Sequence, residues 1–233
     1  MSTETKLAHT FPKGGPKLVW EMKKGTGYSS PAISGDRLVM FHRVGNEERV
    51  ECLHRETGER YWKFAYPTHF EDRYGYNNGP RASPVIDGDH VYTYGAEGKL
   101  HCLKLETGQV YWKRDLPAEF KVPHDFFGVA STPLIEGDLL IVNVGAPGGP
   151  TVAAFDKKTG KLVWGAGDKW GPSYASPVPA NVNGKRRIFV FAGVRAIPRQ
   201  AGCCPSIRKT GHWIFRFPGA ARAMNRSTRP LLW

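Results

Sequence analysis

No stretch of this 233-residue chain is long and apolar enough to cross a membrane as a helix. Residues 1–16 are polar and lack the apolar centre of a secretory signal. Helical apolar periodicity of useful length is also absent from the body of the chain, which argues against a helical bundle. Cysteine is scarce. With four residues and no Cys-x-x-Cys or paired Cys/His spacing, neither a disulfide framework nor a zinc site is indicated. The eight histidines are scattered. There is no Gly-x-Ser-x-Gly nucleophile turn. The glycine-rich segment 145–151 lacks the lysine of a phosphate loop, and Asp87-Gly88-Asp89 lacks the rest of a calcium loop; both read better as hairpin turns.

What the chain does have is repetition. Thr-Gly-x-x-x-Trp occurs as Thr57-Gly58 to Trp62, Thr107-Gly108 to Trp112, and Thr159-Gly160 to Trp164. Each copy closes a unit that opens on small residues and a proline, Ser30-Pro31, Ser83-Pro84 and Thr132-Pro133, and a fourth such opening, Ser176-Pro177, has no copy after it. The prolines lie 53, 49 and 44 positions apart. Gly35-Asp36, Gly88-Asp89, Gly137-Asp138 and Asn183-Gly184 follow as turns, and β-branched and aromatic runs lie between the turns. Four short strands in roughly 40–50 residues predict the blade of an all-β propeller. A proline opening the first strand is compatible with this, because its missing N–H need not join the ladder. The recurring Trp is expected to fill the space between neighbouring blades. The Thr-Gly pair is expected to make the turn into the last strand.

The run Ala154-Phe155-Asp156-Lys157-Lys158-Thr159-Gly160-Lys161-Leu162-Val163-Trp164 resembles the tryptophan-docking motif of the pyrroloquinoline-quinone (PQQ) repeat β-propeller family, also described as quinoprotein alcohol dehydrogenase-like. The first two units depart from it, with Cys52 and Cys102 in place of the Ala and His54 and Lys104 in place of the Asp. Each cysteine is expected to act as a small buried residue. The resemblance covers residues 15–193. It implies an eight-bladed ring, of which about three and a half blades are present. It also implies a location in the periplasm or cell envelope of a bacterium; the chain as written, lacking a signal, would instead be cytoplasmic if residue 1 is the true start. Lys17-Leu18-Val19-Trp20 reads as the last strand of a preceding blade.

The organisation expected from these patterns is a polar segment 1–16, partial propeller repeats over 17–193, and a basic non-repeat tail over 194–233. That tail holds 8 of the 33 Lys and Arg and none of the 21 acids, so it carries +8 of the net +12. It reads as out-of-frame translation or a misplaced coding boundary, and the chain as a fragment. The overall basicity is therefore no argument for nucleic acid. Cys203-Cys204 lies in the same tail. Catalytic quinoprotein members carry a vicinal disulfide, but its position outside any repeat argues against that role here.

Candidate functional residues lie in the long connections between blades. Tyr74, Tyr76, Asn77, Asn78 and Arg81 occupy the first, and His124, Asp125 and Phe126 the second. Tyr28, Arg81, Ala130 and Tyr174 each precede a unit's proline by three residues, near the mouth of a central channel. The competing reading is that these aromatics only pack the loops. Two functions follow. One is a non-catalytic module that binds a protein or polymer partner and needs no cofactor. The other is part of a quinone-dependent alcohol dehydrogenase, similar to polyvinyl-alcohol dehydrogenases. It would require PQQ, Ca2+ and an Asp base, with Glu71, Asn77 and His124-Asp125 as residues of the right type. The first reading is favoured, because no family catalytic motif transfers residue by residue.

Overall fold

A computed structural model of the protein describes residues 10–122, 128–146, 148–168 and 170–193, together with the backbone of 212–215. Four sheets follow one another along the chain. The first contains β1 (Ala32–Ser34), β2 (Arg37–Val44), β3 (Glu47–His54) and β4 (Arg60–Pro67), antiparallel and in chain order. The second contains β5 (Val85–Asp87), β6 (His90–Tyr94), β7 (Lys99–Lys104) and β8 (Val110–Asp115), followed by the short helix α1 (Leu116–Phe120). The third contains β9 (Leu134–Glu136), β10 (Leu139–Asn143), β11 (Val152–Asp156) and β12 (Leu162–Ala166). The fourth pairs β13 (Val178–Val182) with β14 (Lys185–Phe191), and β14 with β15 (His212–Phe215). These are propeller blades, and the all-β reading of the repeat holds.

The turns explain the chain order. A two-residue hairpin whose first central residue has positive φ matches the twist of its strands. Gly35, Gly88 and Gly137 occupy that place with φ of 59°, 59° and 60°. In the fourth blade Asn183 and Gly184 both have positive φ, the pattern of the mirror-image turn.

Side chains alternate across each strand, so every blade has two faces to cover. Val39, Phe41, Val50 and Cys52 of the first blade pack with Val91 and Leu103 of the second. Tyr92, Tyr94 and Cys102 of the second pack with Leu140, Val142 and Phe155 of the third. Ile141, Val152 and Ala154 of the third meet Ile188 and Val190 of the fourth. Cys52, Cys102 and Ala154 are fully buried and stand opposite Trp62, Trp112 and Trp164, and each pairing is followed by a shift in register. Both cysteines are free thiols with the small buried role expected of them. Burial pushes the Cys102 thiol up to about 12, so it is an unreactive protonated group at neutral pH.

The repeated tryptophan joins one blade to the next. Trp62 Nε1–H donates to the Leu105 carbonyl at 2.8 Å, and Trp112 Nε1–H to the Lys157 carbonyl at 3.0 Å. The ring then lies flat on the glycine three positions after that carbonyl. A Cβ on Gly108 would sit 2.5 Å from Trp62 Cε3, and one on Gly160 would sit 2.6 Å from Trp112 Cδ2. Trp20 repeats the contact on Gly58 and the Arg55 carbonyl. Residues 17–20 nevertheless form no strand, contrary to the expectation from their sequence. Strand structure requires a neighbour to take up the backbone hydrogen bonds, and among the described residues the Trp20 indole is bonded while residues 17–20 pair with no strand.

A second set of links runs along the inner strands. The Ser30 N–H donates to Ser83 Oγ at 3.0 Å, the Ser83 N–H to Thr132 Oγ1 at 3.0 Å, and the Thr132 N–H to Ser176 Oγ at 2.9 Å. Each hydroxyl belongs to the residue before a repeat proline. The small polar residue that opens each unit is therefore an acceptor for the preceding blade.

Gly108→Ala should destabilise the protein by about 3 kcal/mol, combining the cost of a left-handed backbone with displacement of a buried ring. Gly88→Ala, with open space around its Cβ position, should lose only about 1 kcal/mol. Denaturant midpoints of the two variants separate the ring contact from the backbone term; equal losses would remove the indole from the argument.

Candidate functional site

The two ends of the blades differ. At one end the first and last turns of each blade lie side by side, as in Arg55 N–H to Asp36 O, Leu105 N–H to Asp89 O and Lys157 N–H to Asp138 O. At the other end the middle turns meet the connections between blades. The Thr68 N–H donates to the Asn46 carbonyl at 2.9 Å, and the His69 N–H to Glu97 Oε1 at 3.0 Å. The connection leaving β4 thus crosses onto the middle turn of the second blade. Phe70 then packs beneath Gly128, where a Cβ would meet its ring at 2.7 Å.

Buried charge holds this connection. Arg43, at the end of β2, is 7% exposed and donates to the carbonyls of Gly45, Phe70 and Asn78 and to Asn46 Oδ1. Asp72 is equally withdrawn. Its carboxylate accepts the Tyr74 N–H at 2.9 Å, the Asn77 N–H at 3.4 Å and Arg81 Nη2 at 2.7 Å. Arg81 also donates to the Gly79 and Asn77 carbonyls, and its guanidinium lies 5.0 Å from the Phe70 ring centre. The Asn77 side-chain oxygen accepts the Gly79 N–H, and that of Asn78 accepts the Asp72 N–H. Residues 72–81 therefore form a cross-braced loop whose polar groups point inward.

The loop presents aromatic rings outward. Tyr74 and Tyr76 are 56% and 71% exposed and stack at 6.0 Å with an interplanar angle of 26°. Tyr28 is 60% exposed, its N–H donates to the Pro80 carbonyl, and its ring centre lies 5.8 Å from the Arg81 guanidinium. Arg81 feels burial first, which lowers its pKa, and then Asp72, Tyr28 and Tyr174, which raise it. Of the predicted residues, the structure thus gathers Tyr28, Tyr74, Tyr76, Asn77, Asn78, Arg81 and Tyr174 around one connection. Their roles divide: Asn77, Asn78 and Arg81 brace the loop, while the tyrosines face outward. His124, Asp125 and Phe126 lie outside the described residues, as do Cys203 and Cys204. Asp72 belongs to the long connection read as a candidate from the sequence, whereas Arg43 was not singled out. The available signal for Arg43 was an arginine ending the apolar run of β2.

A second buried acid ties the first blade to the second. Glu48 is fully buried; it accepts the Tyr66 hydroxyl and, at 2.9 Å, the Ala96 N–H. Gly95 stands directly against this carboxyl and the Tyr66 oxygen. Burial raises the Glu48 pKa more than the two hydrogen bonds lower it. His101 stacks on Tyr66 at 4.3 Å, and burial together with Lys113 and Lys99 brings it down to about 4.

The motif turns show how the unusual residues work. Asp156 Oδ1 accepts both the N–H and the hydroxyl of Thr159, at 2.8 and 2.7 Å. In the first blade His54 Nδ1 takes over as acceptor, for the N–H groups of Glu56 and Thr57 at 3.2 Å each. Lys104 has no acceptor to offer. Its ammonium pairs with Glu106, and the turn keeps the bond common to all three motif turns, in which Thr107 Oγ1, like Thr57 and Thr159 Oγ1, accepts the N–H two residues on.

A calcium-quinone centre needs converging oxygen donors. Among the described residues no three His, Cys, Asp or Glu side chains are grouped to hold a metal. The Asp72 carboxylate is taken by Arg81, and the Asn77 oxygen by Gly79. No helix among them is long and apolar enough to span a membrane.

The fold and its outward loops define a β-propeller repeat protein with a loop-built candidate interface. Residues 46–202 match the family described as outer membrane protein assembly factor BamB, and the chain belongs to this PQQ-like repeat family. No curated protein matches the sequence significantly. Among solved structures it is similar to a europium-containing methanol dehydrogenase, at 19% identity and a TM-score of 0.48 over 67% of this chain and 27% of that one. It is similar to BamB from Moraxella catarrhalis at 21% identity and 0.46, over 68% of this chain and 40% of that one. The computationally designed Ika4 protein aligns at 12% identity and 0.49, over 78% and 93%. The chain thus spans less than half the length of the two natural structures.

Glu48→Gln should raise stability at pH 7.5 relative to wild type, because it removes a buried carboxyl that burial disfavours in its charged form. A carboxyl with a raised folded pKa binds its proton more tightly when folded, so its contribution is complete below the unfolded pKa and is lost as pH rises through the folded one. The variant's advantage should therefore vanish at about pH 4. A stability difference between wild type and variant that does not change with pH would contradict the assignment.

Proposed function

We propose that this chain is a non-catalytic propeller module that binds a protein or polymer partner in the bacterial periplasm or cell envelope, through the face carrying the connections between blades. The observation that carries this reading is the braced loop 72–81. Its buried Asp72–Arg81 pair fixes the backbone, and its two stacked tyrosines are left exposed. Rigid aromatic side chains supply contact area at little entropic cost, which is why Tyr is enriched at binding surfaces. Membership in a family described by an outer-membrane assembly factor agrees with a protein partner in the envelope. No cofactor enters this reading. Part of a quinone-dependent alcohol dehydrogenase is the alternative, and no observation at the described loops favours it.

A photo-crosslinking amino acid at position 76 should give a discrete adduct in bacterial envelope preparations. The same group at position 61, at the opposite end of the blades, should not. Tyr76→Ala should weaken partner binding at least tenfold, the loss of about 1.4 kcal/mol or more expected of a central aromatic contact, and leave the unfolding midpoint unchanged. Arg81→Ala should instead lower stability by about 3 kcal/mol, because it strands the Asp72 carboxylate. Reduction of an acceptor dye by the chain with PQQ, Ca2+ and an alcohol would overturn the non-catalytic reading.

A further inference from the structure

The face of the first blade turned away from the second is also covered. Val39, Phe41 and Cys52 point toward the second blade, so Met40, His42 and Glu51 point the other way. All three are buried, at 8%, 2% and 5% exposure. The segment before β1 reaches this face. Thr26 and Arg43 exchange both backbone hydrogen bonds, at 2.9 and 2.8 Å, in an isolated bridge. Next to it, the Gly25 N–H donates to His42 Nδ1 at 2.9 Å. Gly25 sits close enough that a Cβ there would meet the Arg43 carbonyl at 2.1 Å and His42 Nδ1 at 2.9 Å. The other ring nitrogen, Nε2, faces Glu51 Oε2 at 3.1 Å.

These contacts fix the tautomer. Nδ1 accepts from a backbone N–H, so the ring proton sits on Nε2 and is donated to Glu51. We propose that residues 21–27, between the Trp20 indole and the Tyr28 N–H held by Pro80, are an acid-released strap on the first blade, with the His42 imidazole as its latch. A proton taken up from solvent at Nδ1 turns the acceptor into a donor facing another donor, and the bond to Gly25 is lost. A buried N–H and N–H+ pair is costly in this setting.

The charged groups around the ring set the balance. Burial favours the neutral ring and holds its pKa below the ordinary value. Glu51 from β3 opposes this, but it also accepts Arg60 Nη1 from β4 at 3.1 Å, so its charge is shared. Arg49 from β3 and Lys24 from the strap both disfavour a second positive charge. A histidine whose pKa is depressed in the closed state binds protons better once released. Closure is therefore complete above the ordinary histidine range and weakens as pH falls through and below it. Lys24 repels the imidazolium and adds to release. Trp20 remains a second attachment through Gly58 and Arg55, so the segment opens between the indole and Tyr28.

The test is amide exchange by NMR on the full chain, corrected for intrinsic pH dependence. Between pH 7.5 and about 4.5, protection at Gly25, Thr26 and Arg43 should fall about tenfold, while Tyr92 and Cys102 in the second blade stay protected. His42→Gln keeps an acceptor that does not titrate, and its protection at Gly25 should change less than about twofold. In wild type the release midpoint should coincide with the ring-carbon titration of His42, which decides the matter even if the variant fails to fold. Protection independent of pH, equal acid loss in His42→Gln, or a ring titration without loss of protection would each overturn the proposal.

Discussion

The contact between an indole and a glycine in the next blade is the constraint on which the rest of this structure depends. A propeller blade has two apolar faces and cannot bury either alone. Trp62 and Trp112 solve this by combining a flat packing surface with one donor, whose carbonyl partner lies three residues before the glycine. The geometry fixes three things together: the residue beneath the ring must lack a Cβ, its backbone must take positive φ, and the residue opposite the Trp must be small. Gly108 and Gly160 meet the first two demands, and Cys52 and Cys102 the third. The hydroxyls preceding the repeat prolines perform the equivalent task at the inner strands with hydrogen bonds instead of packing.

The two ends of the blades are built from different physics. At the end holding the Thr-Gly turns, structure is local and repetitive, with Asp156 and His54 filling the same acceptor position by different chemistry. At the other end the connections vary in length, and buried charges organise them one by one. Arg43 is held by carbonyl dipoles, Asp72 by Arg81 and backbone amides, and Glu48 by a phenol and one amide. Such groups are costly to bury, so their full satisfaction marks a surface whose shape is held in place. The exposed tyrosines gain their value as a candidate interface from that rigidity.

Much of the architecture was legible in advance, because it repeats. Each of Pro31, Pro84, Pro133 and Pro177 precedes an inner strand, and the Gly-Asp and Asn-Gly turns fall between the first and second strands. Where the reading failed, a partner was missing or a side chain turned inward. Residues 17–20 have the sequence of a last strand but pair with no strand among the described residues. Arg81 has the character of a surface group, yet its guanidinium is committed to Asp72 inside the loop. The five-residue helix after β8 was not expected either; Asp115 accepting the Ala118 N–H and the proline in its first turn are its local causes.

By itself, the sequence determined the blade, its strand order and the positions of the inter-blade tryptophans, since these follow from period, turn chemistry and residue size repeated along the chain. Only the tertiary structure decided which connection residues face solvent and which are braces, and that His42 grips the segment before the first strand. Those roles depend on which donors and acceptors meet, across 2 to 9 residues inside the loop and across 17 and 35 residues where His42 and Arg43 hold other segments. Pairing at that distance leaves no periodic trace, because each buried polar group needs only one suitable partner, wherever in the chain that partner lies.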